Sequence, residues 1–323
     1  MLDLLVVLRR RVSKPSHRRM IMKVIAVAAL AVTAALMAEP AGAQQPDFSK
    51  VEIKTTDLGN KTFLLEGQGG NITVAVGSDG IIVVDSEFAP LHDKIKAAIN
   101  KISPLPVKFL VNTHFHGDHT GGNEAFAKEG VVIVAQDNIR VRLAAGTVNG
   151  LTGNKTPPAA LGAIPSDTYI GGAKKVDVGG RTAILTHANN AHTDGDSWVY
   201  FPDANVIATG DIFSNGRYPN IDFANGGGVN GVINAVDAFL KVANDNTRIV
   251  PGHGPLATKT QLIEYRNVLA TARDRIRKLY DEGKDEKEVL AAKPLADFDG
   301  KWAANDQAAA NFVRVVYNSF RRS

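Results

Sequence analysis

Residues 113–120, THFHGDHT, follow directly on the strand-like run VKFLVN. Three of the chain's eight histidines and one aspartate fall within six positions, His114 to His119. A chain carrying this cluster must bring a buried strand out to an edge where side chains can converge. Alternate residues of an extended segment point to the same side, so His114 and His116 can meet at one point. Gly117 lets the chain turn, after which Asp118 and His119 can face a second point. Neutral imidazole and carboxylate suit zinc. The chain has no cysteine, so any metal site must be built from histidine and carboxylate alone.

Four ligands on one short loop cannot surround two ions, and the rest of the chain offers few candidates. His192 sits in NNAHTDGDS before the strand-like WVYF, Asp211 closes VIATGD, and His253 lies in PGHG after RIV. Each stands at a strand end with glycine close by, as a backbone nearing a site requires. With the first four they give five histidines and two aspartates, enough for two shells and one bridging carboxylate.

The pattern H-x-H-x-D-H, then H-T, then T-G-D, then P-G-H resembles that of the metallo-β-lactamase superfamily, over about residues 51–283. The resemblance implies an α/β fold, a four-layer αββα sandwich of two mixed β-sheets flanked by helices. It also implies two Zn2+ per chain at one edge. Carried over by motif, one zinc takes His114, His116 and His192, and the other takes Asp118, His119 and His253, with Asp211 bridging. One departure matters: the commonest lactamase class has a cysteine ligand where this chain has Asp211. That aspartate is similar to the pattern of glyoxalase II and lactonases. The implied reaction is hydrolysis of a lactam, lactone, ester or thioester, with β-lactamase as a special case. Zinc would lower the pKa of a bridging water from ~15.7 to around 7, and Asp118 would act catalytically by orienting it.

Asp85, at the end of IIVVD, and Asp196 are expected to hydrogen-bond ligand histidines from behind. His92 and His187 match no motif position and are read as structural. Two segments rich in Gly, Pro and Asn, 146–168 and 213–230, read as long loops that supply substrate contacts. Phe213, Asn215 and Tyr218, just after Asp211, are the candidate substrate-binding residues, with loop packing as their alternative role.

The remaining pattern predicts strands and helices in two successive sets, which suggests two α/β halves sharing one core. Residues 44–323 are expected to form a single domain ending in C-terminal helices near 257–282, 285–292 and 304–320. Residues 1–43 read as a signal peptide. A basic segment precedes fifteen apolar or small residues, Val24–Ala38, and Ala41-Gly42-Ala43 gives an A-x-A cleavage site. Fifteen residues fall short of the roughly 20 that span a bilayer. Met20 and Met22 are alternative starts, and HRRMIMK loosely resembles a twin-arginine signal. A periplasmic or secreted protein is expected, without membrane association after cleavage.

The same segment accounts for the basic excess, since its seven Lys/Arg and two acids give +5 against +4 for the whole chain. The remainder, near −1, gives no footprint for nucleic acid. A small-molecule substrate is the expected partner. The alternatives are a catalytically inactive metal- or partner-binding protein on the same fold and a phosphodiesterase.

Overall fold

The computed structural model describes residues 47–321, so the expected signal segment lies outside the described residues. Short apolar runs broken by Gly, Asn and Asp fold as strands. Lys54–Gly59 (β1), Thr62–Glu66 (β2), Ile72–Val76 (β3) and Ile81–Val84 (β4) pair in antiparallel succession. The turn at 77–80 closes the β3–β4 hairpin, with Gly77 N donating to Gly80 O at 2.9 Å. His92–Ile102 (α1) crosses over, and Val107–Val111 (β5) returns parallel to β4. Gly117–Thr120 (α2) and Asn123–Lys128 (α3) lead to Val132–Gln136 (β6), parallel to β5, and Asp137–Ala145 (α4) follows.

The stretch 146–168 is only partly a loop. Thr147–Val148 (β7) and Lys155–Thr156 (β8) form a two-stranded ribbon, and Asp167–Tyr169 (β9) adds to the free edge of β6. Two or three residues are too few to show alternation, which is why these strands carry no signal in the sequence.

Ala173–Val178 (β10), Arg181–His187 (β11), Ser197–Phe201 (β12) and Val206–Ala208 (β13) form an antiparallel succession. Val229–Val242 (α5) then leads to Arg248–Val250 (β14), parallel to β13. Its first two residues fall inside the segment 213–230, which the sequence assigns to loop. Lys259–Asp281 (α6), Glu286–Ala291 (α7), Ala296–Trp302 (α8) and Asp306–Ser319 (α9) complete the described chain. The sequence gives no sign of α8, because Gly300 and two aspartates interrupt its short apolar stripe.

Alternation along the strands sets the layers. Ile82 and Val84 of β4 face inward with Leu64, Ala75 and Val111, and meet Val176, Leu185, Val199 and Phe201 of the second sheet. Ile81 and Val83 point the other way and pack under Ile95 and Ile99 of α1. On the far side Trp198, Ile207 and Ile249 lie beneath Val232, Val236 and Phe239 of α5 and Leu269 of α6. The order is helix, sheet, sheet, helix, with sheets of seven and five strands, each mixed. Burying such side chains contributes about 1.5–3 kcal/mol each, which ties the four layers together. Among the described residues no helix is long and apolar enough to cross a membrane.

Candidate metal centre

The sandwich places three strand ends at one edge. β5 runs out into Asn112 and Thr113 and then His114, β13 is followed closely by Asp211, and β14 by His253. The β11–β12 connection carries His192 to the same place. Two groups result. His114, His116, His192 and Asp211 each offer a ligand atom within 4.8 Å of the others, and Asp118, His119 and His253 do the same. Asp211 lies between the groups. Its Oδ1 is 3.1 Å from His119 Nε2 and 3.3 Å from His253 Nε2, while Oδ2 is 3.8 Å from His192 Nε2.

Glycine makes this approach possible. A Cβ on Gly70 would sit 2.1 Å from Cε1 of His119, and one on Gly252 would sit 2.1 Å from Asp211 Oδ1. No other residue type leaves the imidazole and the carboxylate where they are.

The histidines are gripped from behind. His119 Nδ1 donates to Asp85 Oδ2 at 2.8 Å, and the same carboxylate accepts from Thr113 N and Thr113 Oγ1 at 2.8 and 2.7 Å. Asp85 itself sits at φ +65°, a costly conformation for a non-glycine residue that recurs at functional sites. His114 Nδ1 lies 3.0 Å from Thr113 Oγ1, His116 Nε2 donates to Asp222 Oδ2 at 3.0 Å, and His192 Nδ1 donates to the Asn220 carbonyl. In a neutral ring each such bond leaves the opposite nitrogen as a lone pair turned inward.

The inner faces then meet nitrogen to nitrogen. His116 Nδ1 and His192 Nε2 are 2.9 Å apart, and His119 Nε2 and His253 Nε2 are 3.4 Å apart. His114 Nε2 and Asp211 Oδ1 are buried and make no hydrogen bond. Buried polar atoms normally find partners. Orphaned polar atoms and facing ring nitrogens are what a divalent cation would satisfy, and the His/carboxylate donor set fits such an ion.

The electrostatics divide between the groups. Burial opposes the charged form, yet Asp211 and Asp85 hold His119 well above the ordinary histidine value. Burial opposes it at His253 too, yet Asp118 and Asp211 raise that ring to about 9. The carboxylates there favour positive charge, whereas His114 and His192 of the first group are held neutral. Burial, reinforced by His119, drives His114 well below the ordinary histidine value, and burial with the His116 charge brings His192 down to about 4. Both are neutral rings, the form a metal requires. Burial alone would raise the Asp118 carboxyl, but the bond from His253 and the charge on His119 outweigh it and lower it to about 2. The mouth of the site is formed by His116, Asp118 and His253, whose side chains keep 23, 28 and 20% exposure, while those of His119 and His192 keep none.

The structure corrects several expectations. Asp196 does not touch an imidazole: it accepts from Thr193 N at 2.8 Å and from Thr193 Oγ1 at 2.5 Å, and so fixes the turn that carries His192. Burial, opposed by those bonds, pushes its carboxyl up to about 8. Asp222 takes the expected role instead, on His116. Its position in NIDFANGGG carries no motif, and only the fold brings it there. Phe213 is not a pocket residue: it is fully buried, with its ring 4.8 Å from that of Tyr265. Tyr218 stacks on Phe312 at 4.2 Å with its hydroxyl donating to Asp299 Oδ1, and lines a cavity with residues of the C-terminal helices. Asn215 donates from Nδ2 to the Pro255 carbonyl at 3.0 Å, and so braces the His253 turn. His92 pairs with Glu129 and His187 bonds the Asp194 carbonyl, and neither joins the two groups.

The sequence and fold match known proteins. The family model described as the metallo-beta-lactamase superfamily covers residues 65–253, more than half of the chain. The chain is 26% identical over 239 residues to a linear primary-alkylsulfatase from Pseudomonas sp., covering 63% of this chain and 44% of the sulfatase. It is 29% identical over 170 residues to the hydroxyacylglutathione hydrolase of Nitrosococcus oceani, covering 51% of this chain and 55% of that hydrolase. The solved structure of the stereoselective inverting sec-alkylsulfatase Pisa1 from Pseudomonas sp. superposes with a TM-score of 0.64 at 19% identity, over 83% of this chain and 50% of that one.

Proposed function

The chain belongs to the metallo-beta-lactamase superfamily, and on that premise we propose that it is a di-zinc hydrolase of a small carbonyl substrate, exported to the periplasm or beyond. The observation that carries the reading is Asp211, whose two oxygens face both groups of candidate ligands. His114, His116 and His192 would hold one ion, Asp118, His119 and His253 the other, and Asp211 both. Zinc held there supplies Lewis acidity and lowers the pKa of water to around 7.

The chain's own side chains do the rest. Asp118, ionised and partly exposed at the mouth, accepts a hydrogen bond from the attacking water and orients it. Asp85, Thr113, Asp222 and the Asn220 carbonyl hold four rings in fixed tautomers, so the constellation is set before substrate arrives. A lactone, ester, thioester or lactam is the substrate class, and Asp211 in place of cysteine favours the first three. Export rests on the signal-like residues 1–43.

A second reading is hydrolysis of a sulfate ester. It is favoured by the alkylsulfatase relative, whose similarity extends over 63% of this chain. One experiment addresses both. Metal-loaded protein is assayed against lactams, lactones, thioesters and alkyl sulfates. Turnover of at least one class is expected, abolished by chelator and reduced about 100-fold or more in Asp118→Ala. No metal-dependent turnover across the panel, or an Asp118→Ala variant as active as wild type, overturns the hydrolase reading.

A further inference from the structure

Behind the metal centre, the 213–230 segment and the C-terminal helices enclose a second cavity of about 300 Å3. Tyr218, Trp302 and Phe312 form its aromatic floor, Leu151 closes one side, and Arg217 and Asn220 stand on its wall. The floor is built rather than incidental. Tyr218 stacks on Phe312 at 12° and 4.2 Å and on Trp302 at 6.4 Å, and its hydroxyl is fixed by Asp299. A preorganised aromatic surface spares a ligand much of the ordering cost of binding.

Charge narrows the class of ligand. No carboxylate lines the cavity, and Arg217 makes no ion pair or hydrogen bond among the described residues. Every other polar wall group is neutral. The volume stands at the low end for ligand sites. At about 30 Å3 per water-sized group it admits roughly ten such groups. The wall is also shared with the metal centre, since the Asn220 carbonyl accepts from His192 Nδ1 and Asp222, two residues on, accepts from His116 Nε2.

We propose that this cavity binds a small amphipathic anion, its single charged head at Arg217 and its alkyl or aryl body against Tyr218, Trp302 and Phe312. The site goes beyond the hydrolase reading and is tested without turnover, so either can fail alone. Decanoate is the probe, with decanol as its uncharged counterpart. Binding is followed by calorimetry and by the fluorescence of Trp302, one of two tryptophans in the chain.

Saturable decanoate binding is expected, with decanol at least about threefold weaker. Ala308→Phe, which fills the cavity from α9, should abolish it. Arg217→Glu, at an exposed position, should raise the decanoate Kd about fivefold and leave decanol unchanged. Circular dichroism and Tm confirm that each variant folds, and the Arg217→Glu arm decides the matter if Ala308→Phe does not. No saturable binding overturns the site. So does binding that survives Ala308→Phe in a folded protein, or binding indifferent to the charge at 217.

Discussion

Replacing Asp222 by Asn changes one atom of the carboxylate that grips His116. Oδ2 of Asp222 is 3.0 Å from His116 Nε2 and 2.8 Å from Asn225 Nδ2. Both neighbours present N–H to that oxygen, because the other nitrogen of His116 is turned toward His192. An amide at 222 offers only one oxygen. If its NH2 faces His116, two donors oppose and the ring loses its inward lone-pair orientation. Loss of such a partner behind a ligand histidine costs about 10–100-fold in metal affinity, equivalent to about 1.4–2.8 kcal/mol.

The assay is zinc titration of metal-free protein against a competing chelator, with circular dichroism to confirm folding. Asp196→Asn is the comparison, since Asp196 is also buried but meets Thr193 rather than an imidazole. Asp222→Asn should weaken zinc by about 10–100-fold, and Asp196→Asn by no more than about threefold. Asp222→Asn within twofold of wild type would refute the reasoning, as would Asp196→Asn weakening zinc equally. Either result would mean that the hydrogen bond behind the ring does not set its affinity.

Gly70→Ala should destabilise the protein by about 1–3 kcal/mol in urea unfolding and lower its zinc content, because the new methyl group meets the His119 ring. An unchanged midpoint and full zinc content would show that the loop yields freely. Chelator should lower Tm by roughly 5–10 °C, since zinc at about 100 times its Kd adds ~2.7 kcal/mol. Metal analysis of untreated protein should find close to two zincs per chain, and fewer than one would sink the di-zinc reading. Glu129 provides a pH test away from the cluster. Burial raises its carboxyl, but the bonds from Lys96 and His92 win and hold it below 4.5. A depressed folded pKa gives stability that is present above the unfolded value and lost as pH falls through the folded one. Glu129→Gln should therefore cost about 0.5 kcal/mol or less near pH 7, given the partial exposure, and less as pH falls through the folded value. A cost that does not change with pH would assign the effect to packing.

Much of the fold was open to the sequence because its strands are long enough to show a pattern. β12 and β14 fall where the apolar runs WVYF and RIV place them, and α6, Lys259–Asp281, lies within the expected 257–282. What was hidden is short: β7, β8 and β9 have two or three residues each, and α8 has seven. Their conformation is decided by neighbours, β9 by the free edge of β6 and α8 by packing of Trp302 beneath Tyr218 and Tyr265. Local preference cannot reveal a structure imposed from outside.

The site divides along a similar line. The residues brought into the two groups were legible because histidine is scarce in this chain and each candidate sits beside a strand end with glycine near it. Supports such as the Asn220 carbonyl were not, because every residue has a carbonyl and only the path of the chain decides which one meets His192. Phe213 shows the limit most directly. It lies two residues after Asp211, and nearness in sequence suggested nearness to substrate. Yet a single 3-10 turn, Gly210–Ile212, rotates the chain between them and sends the ring into the core against Tyr265. Direction reverses within two residues wherever the backbone is irregular, whereas in a strand it alternates and in a helix it advances by a known angle. Binding residues are commonly carried by such irregular segments, so they must be read from the walls the fold assembles. The Tyr218–Asn220 segment illustrates this, being unremarkable in sequence but shared by the second cavity and by the support of His192.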